Sequence, residues 1–350
     1  MKNHKFPYNW RIADGYPAKG IEKHGCKVFG TFICGGGSSM GYKLAGFDHL
    51  GGVELDPDVA MCYKHNHHPK YLFNEDIRKF NERQDLPEEL YGIDLLDGSP
   101  PCSTFSMAGS REDAWGKEKV FREGQAKQVL DDLVFVYCDT IEKLKPKVCL
   151  LENVSGLVKG NARSYAKRIC TRLNNIGYNV QVFLLNAAVM GVPQKRERVF
   201  FIGARKDLHL PKLNLDFAEP PIFFRDVEDG KGKPITDYAK KAWEHRQPSD
   251  RTIADSKERA GMKVSDFNCT YLKRNEIPGT LTATTGHHGK INYHKPVYIS
   301  DTEAMKIGTF PLDYDTDGKV DIQYLIGMSV PPVMTAQIAH QIWLQWLSKL

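Results

Sequence analysis

Between Cys26 and about Ala204, short apolar runs alternate with stretches whose apolar residues recur every three and four positions. This is the pattern of strands interleaved with helices. Candidate strands are Cys26–Ile33, His49–Leu55, Ile93–Asp97, Val148–Glu152, Asn179–Leu185 and Arg198–Ala204. Val129, Leu133, Val136, Thr140 and Leu144 predict one helix, and Tyr165, Ile169, Leu173 and Ile176 another. Asp56-Pro57 predicts a helix start, because aspartate caps the free N–H groups and proline has none to lose. The alternation predicts an α/β domain with a doubly wound, mostly parallel sheet. Its last two strands are close enough in sequence to pair as neighbours.

The rhythm stops near Lys206. From there to Lys295 the chain is charged and proline-rich, with short strand-like pieces such as Gly279–Thr285, and predicts a second, smaller domain. Met334, Ile338, Ile342 and Trp346 then mark a C-terminal helix after the Val330-Pro331-Pro332 turn, expected to pack on the large domain. The expected division is therefore 1–25 as an extension, 26–205 as the large domain, 206–295 as the small one, and 296–350 as a returning segment.

With 350 residues the chain can bury a full core, and 41% hydrophobic with 26% charged residues are ordinary globular values. No apolar run approaches the roughly 18–20 residues that span a bilayer. The first twenty residues are polar and broken by prolines and glycines, so neither a secretory signal nor a membrane partner is expected, and the expected location is cytoplasmic. Eight cysteines with no C-x-x-C pair read as free thiols, with no zinc site and no metal expected. A net charge of +5 is compatible with a polyanionic partner.

The first strand runs into Cys34-Gly35-Gly36-Gly37-Ser38-Ser39-Met40-Gly41, a turn whose backbone can approach a ligand closely because it lacks Cβ atoms. Tight turns use glycine for other reasons too. Glu54 closes the second strand some 17–19 residues later, where an acid in a nucleoside-binding α/β fold meets ribose hydroxyls. Together they point to an adenosine-containing cofactor. Asn74-Glu75-Asp76-Ile77 offers a carboxylate and an apolar side chain for an adenine, or is a plain surface loop.

Asp97-Gly98-Ser99-Pro100-Pro101-Cys102-Ser103 places a cysteine on a proline-stiffened loop at the carboxyl end of a strand, where nucleophiles of α/β enzymes sit. The strand from Val148 ends in Glu152-Asn153-Val154, which brings a carboxyl group to the same sheet edge. Gln194-Lys195-Arg196-Glu197-Arg198 precedes another strand, and alternation sends Arg196 and Arg198 to one side; a solvated charge run is the competing reading. His65-Asn66-His67-His68 lacks partners at metal-ligand spacing and reads as a polar helix end.

In this order, these blocks resemble the cytosine-C5 DNA methyltransferase family, from Val28 to the C-terminal helix. The resemblance implies a doubly wound mixed, mostly parallel sheet of the S-adenosylmethionine-dependent methyltransferase type with a second, smaller target-recognition domain. It implies S-adenosylmethionine beside Phe32, Gly35, Gly36, Gly37, Glu54, Leu55, Asp76, Ile77 and Ser329. It implies Cys102 as nucleophile, Glu152 as the acid at the cytosine ring, and Arg196 and Arg198 as supporting cations. Pro101, Ser103, Arg111, Asn153, Thr280 and Leu281 fall where the family meets a flipped cytosine in duplex DNA, and 103–128 reads as a basic loop closing on it. A monomer is implied, with room for a cognate restriction endonuclease acting on the same site.

Two departures stand out. The family's Asp-Leu-Phe-x-Gly is here Gly30-Thr31-Phe32-Ile33-Cys34, and Met328 replaces the customary asparagine before Ser329. Three rivals remain at this stage. A tRNA cytosine methyltransferase would share the cofactor blocks. A silent DNA binder would have no need of Cys102, Glu152, Arg196 and Arg198 together, and a nicotinamide-dependent dehydrogenase leaves Pro101-Cys102 without purpose.

Overall fold

The computed structural model describes residues 4–101, 118–119, 128–129, 133–159, 163–283 and 289–350. These divide into two compact units. One comprises Pro17–Asn186, Glu197–Asp216 and Ala336–Leu350; the other comprises Met1–Tyr16, Ala187–Arg196 and Phe217–Thr335.

The first unit is built on β1 (Lys27–Thr31), α1 (Gly37–Leu44), β2 (Asp48–Val53), α2 (Pro57–His67), β3 (Tyr71–Phe73), α3 (Ile77–Glu82) and β4 (Leu95–Gly98). A short antiparallel pair, β5 (Glu118–Lys119) and β6 (Gln128–Val129), precedes α4 (Leu133–Leu144), β7 (Val148–Val154), α5 (Arg163–Asn175), β8 (Tyr178–Asn186) and β9 (Glu197–Arg205). Among the described residues, seven strands form one sheet in the order β3-β2-β1-β4-β7-β9-β8. β3, β2, β1, β4 and β7 run parallel, and β9 is antiparallel to both β7 and β8. The sheet is thus α/β and doubly wound, as the alternation predicted, and mixed but mostly parallel, as the resemblance implied. Because β4 and β7 lie in the middle, they bury nearly every residue on both faces, which is why they read as continuous apolar runs. Phe29, Leu96, Tyr137, Ile141, Leu151, Ile169 and Phe201 share this unit's core.

Three details differ from expectation. Val129 lies in β6, where strand pairing takes its backbone, and the described helix starts at Leu133. β3 has only three half-buried residues on the sheet edge, too few to show a period. α5 stops at Asn175, where Gly177 takes φ +99 and Ile176 closes the last turn onto Arg172 O.

The second unit carries α6 (Asp237–Glu244), α7 (Ile253–Arg259), the parallel pair β10 (Tyr271–Leu272) and β11 (Ile291–Asn292), then α8 (Asp301–Gly308) and α9 (Ile322–Met328). Ile235, Ala242, Ile253, Cys269, Tyr271 and Ile291 form a small core. Gly279–Thr285 is not a strand where it is described. Gly279 makes one isolated bridge with Lys195, whose N–H donates to Pro278 O, and 284–285 lie outside the described residues. The N-terminal arm belongs to this unit. Phe6 and Trp10 are buried, and Trp10 Nε1 donates to Thr309 O at 2.9 Å. The final helix, α10 (Pro332–Gln345), begins with proline at its first position. Among the described residues, no helix is long and apolar enough to cross a membrane.

Candidate active site

β1 ends in an unusual turn. Phe32 has φ +55, Cys34 φ +47 and Gly36 φ +76, so two non-glycine residues occupy the left-handed region beside the glycine cluster. Cys34 therefore stands in a conformation suited to the glycine that the family pattern has there. The turn is held by Glu54, whose Oε2 accepts Cys34 N–H and whose Oε1 accepts Asp56 N–H, each at 2.9 Å. Burial raises the Glu54 pKa and these backbone donors oppose the rise. Asn74 Nδ2 donates to Glu54 O and Leu55 O, fixing the end of β2.

Asp76 caps α3: its Oδ1 accepts Arg78 N–H at 2.8 Å, and Oδ2 lies 3.3 Å from Arg78 Nη1. Ile77 is buried with Leu133, and Phe32 packs against them, which makes a small apolar cluster beside the turn.

At the carboxyl ends of β4 and β7, Asn153 is buried and donates from Nδ2 to Pro100 O at 3.2 Å, while its Oδ1 accepts Val154 N–H. The side chain thus pins Pro100-Pro101, the stem of the cysteine loop. Cys102, Ser103, Arg111 and nearly all of the basic loop lie outside the described residues. Glu152 and Arg198 stand on neighbouring antiparallel strands, with Arg198 opposite Val154, and Arg198 Nε is 2.9 Å from Glu152 Oε1. Burial lowers the Arg198 pKa and Glu152 opposes that change. Asp97, buried on β4, accepts Tyr42 OH at 3.1 Å and has its carboxyl pushed up to about 7. Burial is the main cause, the Tyr42 and Ser38 hydrogen bonds oppose it, and the charge of Glu152 adds to it.

In the other unit, Arg196 is buried and its guanidinium is taken up by main-chain carbonyls: Nη1 donates to Leu281 O (2.9 Å), and Nη2 to Gly327 O (3.0 Å) and Ser329 O (2.9 Å). Gln194 Oε1 accepts Leu281 N–H at 3.1 Å, and Thr280 Oγ1 donates to Lys195 O at 2.7 Å. Alternation does not describe Arg196, because β9 begins only at Glu197. The Gln-x-Arg block instead zips onto Pro278–Leu281. Gly327 has a reason of its own: a Cβ there would lie 2.3 Å from Thr282 C. Met328 is 40% exposed, whereas Ser329 is buried and its Oγ has no hydrogen-bond partner among the described residues.

The described cysteines are all free, and burial pushes the thiols of Cys138 and Cys269 up to about 12 and that of Cys26 to about 11. These three are not thiolates near neutral pH.

The family model for C-5 cytosine-specific DNA methylase matches residues 27–343. The chain belongs to that family. It is 34% identical over 258 residues to the type II methyltransferase M.NgoPII of Neisseria gonorrhoeae, covering 72% of this chain and 68% of the relative. To M.XorII of Xanthomonas oryzae it is 35% identical, covering 89% and 83%. The match to M.FnuDI of Fusobacterium nucleatum is 35% identical and covers 55% of this chain but only 51% of the relative, so this chain spans about half of that protein. A crystal structure of S. pombe Dnmt2 methyltransferase superposes with TM-score 0.58 at 15% identity, covering 91% of this chain and 98% of the other, a likeness of fold.

The DNA methylase family is thus the one whose motifs the sequence carries, and its members act on cytosine C5 in DNA. Several residues that shape this methylase's site escaped the sequence reading. In the sequence Asp97 stands only as part of a motif, and Gln194 as the start of a charge run. His67 was placed on a polar helix end; His65 and His68 are indeed exposed there, but the His67 ring turns inward against Tyr63. Its place near the C-terminal end of an apolar-faced helix was the available signal.

Proposed function

We propose that the chain transfers a methyl group from S-adenosylmethionine to C5 of a cytosine flipped out of duplex DNA, giving 5-methylcytosine and S-adenosylhomocysteine. The observation that carries this reading is the buried Glu152–Arg198 pair beside the stem of the Cys102 loop.

The cofactor fits the residues present. Gly36 leaves no room for a side chain, since a Cβ would lie 2.2 Å from the His67 ring, and Glu54 is oriented by two backbone donors. Ser329 Oγ has hydrogen-bonding capacity unused within the described residues. Phe32, the Gly35–Gly37 turn, Glu54, Leu55, Asp76, Ile77 and Ser329 would hold it; Asp76 would do so with the oxygen capacity that capping leaves. When bound, S-adenosylmethionine supplies an electrophilic methyl on a sulfonium centre.

Cytosine C5 is a poor nucleophile until electron density is pushed into the ring. Cys102 does this by adding its thiolate to C6, forming a C–S bond. Glu152, held by Arg198, donates a hydrogen bond or proton at N3 and neutralises the charge that develops there. After methylation, loss of the C5 proton to water lets the C6–S bond break and frees Cys102. Arg196 supports this by fixing the main chain around Leu281, so that Thr280 and Leu281 stand at the flipped base. The cost of flipping is a few kcal/mol. The unit with α6 to α9 is read as target recognition, and the sheet unit as the catalytic part. A monomer acting on DNA in the cytoplasm, alongside a restriction endonuclease of the same site, completes the proposal.

Labelled methyl transfer to unmethylated duplex DNA, with tRNA as a parallel substrate and digestion to identify the base, tests it. Label in 5-methylcytosine of DNA is expected. Label confined to tRNA would move the function to RNA.

A further inference from the structure

Of the histidines at the end of α2, His67 is the one that turns inward. His67 stacks on Tyr63 with ring centroids 4.2 Å apart and planes 8° from parallel. Its imidazole lies under the glycine turn, with Nε2 2.2 Å from where a Cβ on Gly36 would stand. Across the ring, Lys43 Nζ from α1 lies 3.4 Å from His67 Nδ1 and donates to His67 O at 3.1 Å.

These contacts determine the tautomer. An ammonium group can only donate, so Nδ1 facing Lys43 must be the lone-pair nitrogen. Nε2 then carries the hydrogen and faces the glycine turn, where a Cβ on Gly36 would lie 2.2 Å from it. With the opposite tautomer, a lone pair would face the turn instead. A second limb runs from Tyr63 OH, 3.2 Å from Ser39 Oγ and 3.3 Å from His49 Nδ1. The titratable groups gathered here are Lys43 and Tyr42 from α1, His49 from β2, Tyr63, His67 and His68 from α2, and Asp97 from β4, whose charge reaches Tyr63.

We propose that Lys43 and His67 form a tautomer lock that holds the Gly35–Gly36 turn in its cofactor-receiving conformation. The inference rests on reading that turn as the S-adenosylmethionine site. Both residues are positioning residues; neither touches the reacting atoms.

Burial brings Lys43 down to about 8, while burial and the charge of Lys43 hold both His67 and His49 low, the latter at about 3. Of Lys43, His67 and His49, the lysine is the one that titrates near physiological pH; Asp97, at about 7, reaches this cluster through Tyr63 and changes charge below that point. Below pH 8 it is an obligate donor and the lock is closed. Above pH 8 a neutral amine can accept a hydrogen bond, the other tautomer of His67 becomes accessible, and the turn loosens.

The test is calorimetric titration of S-adenosylhomocysteine into the full chain from pH 6.5 to 9, together with nitrogen NMR of the histidine rings without ligand. The expected Kd is level up to about pH 7.5 and weakens 5- to 10-fold as pH passes 8. Lys43→Met should bind weakly at every pH, with no break. His67→Gln, whose amide can still donate toward the glycine turn, should retain more affinity than His67→Leu. In both, KM for the methyl donor should rise while kcat at saturation stays within about threefold. A His67 ring protonated on Nδ1 at pH 7, or a pH-flat Kd that Lys43→Met leaves unchanged, would overturn the lock while leaving the cofactor reading intact. No binding by the unaltered chain at any pH would overturn the cofactor reading, and the inference with it.

Discussion

Arg198 Nε stands 2.9 Å from Glu152 Oε1, on adjacent strands and largely withdrawn from water. The guanidinium keeps its partner oriented and compensates its charge. Removing either member breaks a largely buried ion pair, which typically costs about 3–5 kcal/mol. Glu152→Gln keeps the shape and a donor but loses the acid, so kcat should fall about 10²- to 10⁴-fold, the usual range for general acid–base groups. S-adenosylhomocysteine affinity should stay within about threefold. A Glu152→Gln enzyme with normal single-turnover rates would remove Glu152 from the chemistry.

Asp97 should make stability depend on pH in a direction opposite to that of an ordinary surface carboxylate. Its folded-state carboxyl is raised to about 7, so between about pH 4 and pH 7 the folded chain holds a proton that the unfolded chain has released. Stability then falls as pH rises through that window and is level above it. The whole effect is on the order of 2–4 kcal/mol. Asp97→Asn should flatten this decline, so that the melting temperature of the variant, compared with the unaltered chain, gains more at pH 8 than at pH 5. Parallel pH profiles for the two proteins would show that Asp97 is ionised throughout.

Cys34 occupies a left-handed conformation at φ +47 while its N–H holds Glu54. Left-handed backbone costs an L-residue roughly 1–2 kcal/mol, and glycine escapes this at the expense of up to about 1 kcal/mol of unfolded-state entropy. Cys34→Gly should leave stability unchanged or raise it by up to about 1 kcal/mol, and Cys34→Val should lower it by about 1–2 kcal/mol. Urea unfolding of the two variants measures the difference; equal midpoints would mean that the turn relaxes freely.

Gln194 receives the Leu281 N–H and donates from Nε2 to Ile307 O at 3.3 Å, both in buried surroundings. Gln194→Ala leaves two buried groups unmet, at about 1–3 kcal/mol each. Amide exchange at Leu281 should accelerate and DNA affinity should fall about tenfold, with S-adenosylhomocysteine affinity unchanged. Unaltered exchange at Leu281 would mean that Arg196 alone holds the segment.

Much of the sheet unit was legible because its signals are local. Buried central strands such as β7 read as apolar runs, and Asp56-Pro57 announced α2, where Asp56 does accept Asp58 N–H and Val59 N–H. What escaped depends on tertiary approach. The antiparallel ends of β7 and β9 put Glu152 beside Arg198, which no spacing shows. Arg196 was paired with Arg198 by alternation, but alternation holds only within a strand, and Arg196 precedes one. His67 lies among exposed histidines in sequence and under a glycine turn in space. The N-terminal arm offered no periodicity, since Phe6 and Trp10 are held one by one rather than along a face.

The most direct test of the central claim uses duplex DNA carrying 5-fluorocytosine at the target position, with S-adenosylmethionine present. Fluorine at C5 cannot leave as a proton does, so an enzyme that has added a thiolate to C6 remains bonded to its substrate. The account predicts a denaturant-stable protein–DNA adduct that maps to Cys102 and is absent from Cys102→Ala. An adduct at any other residue, or methyl transfer to ordinary cytosine by the Cys102→Ala chain, would contradict it.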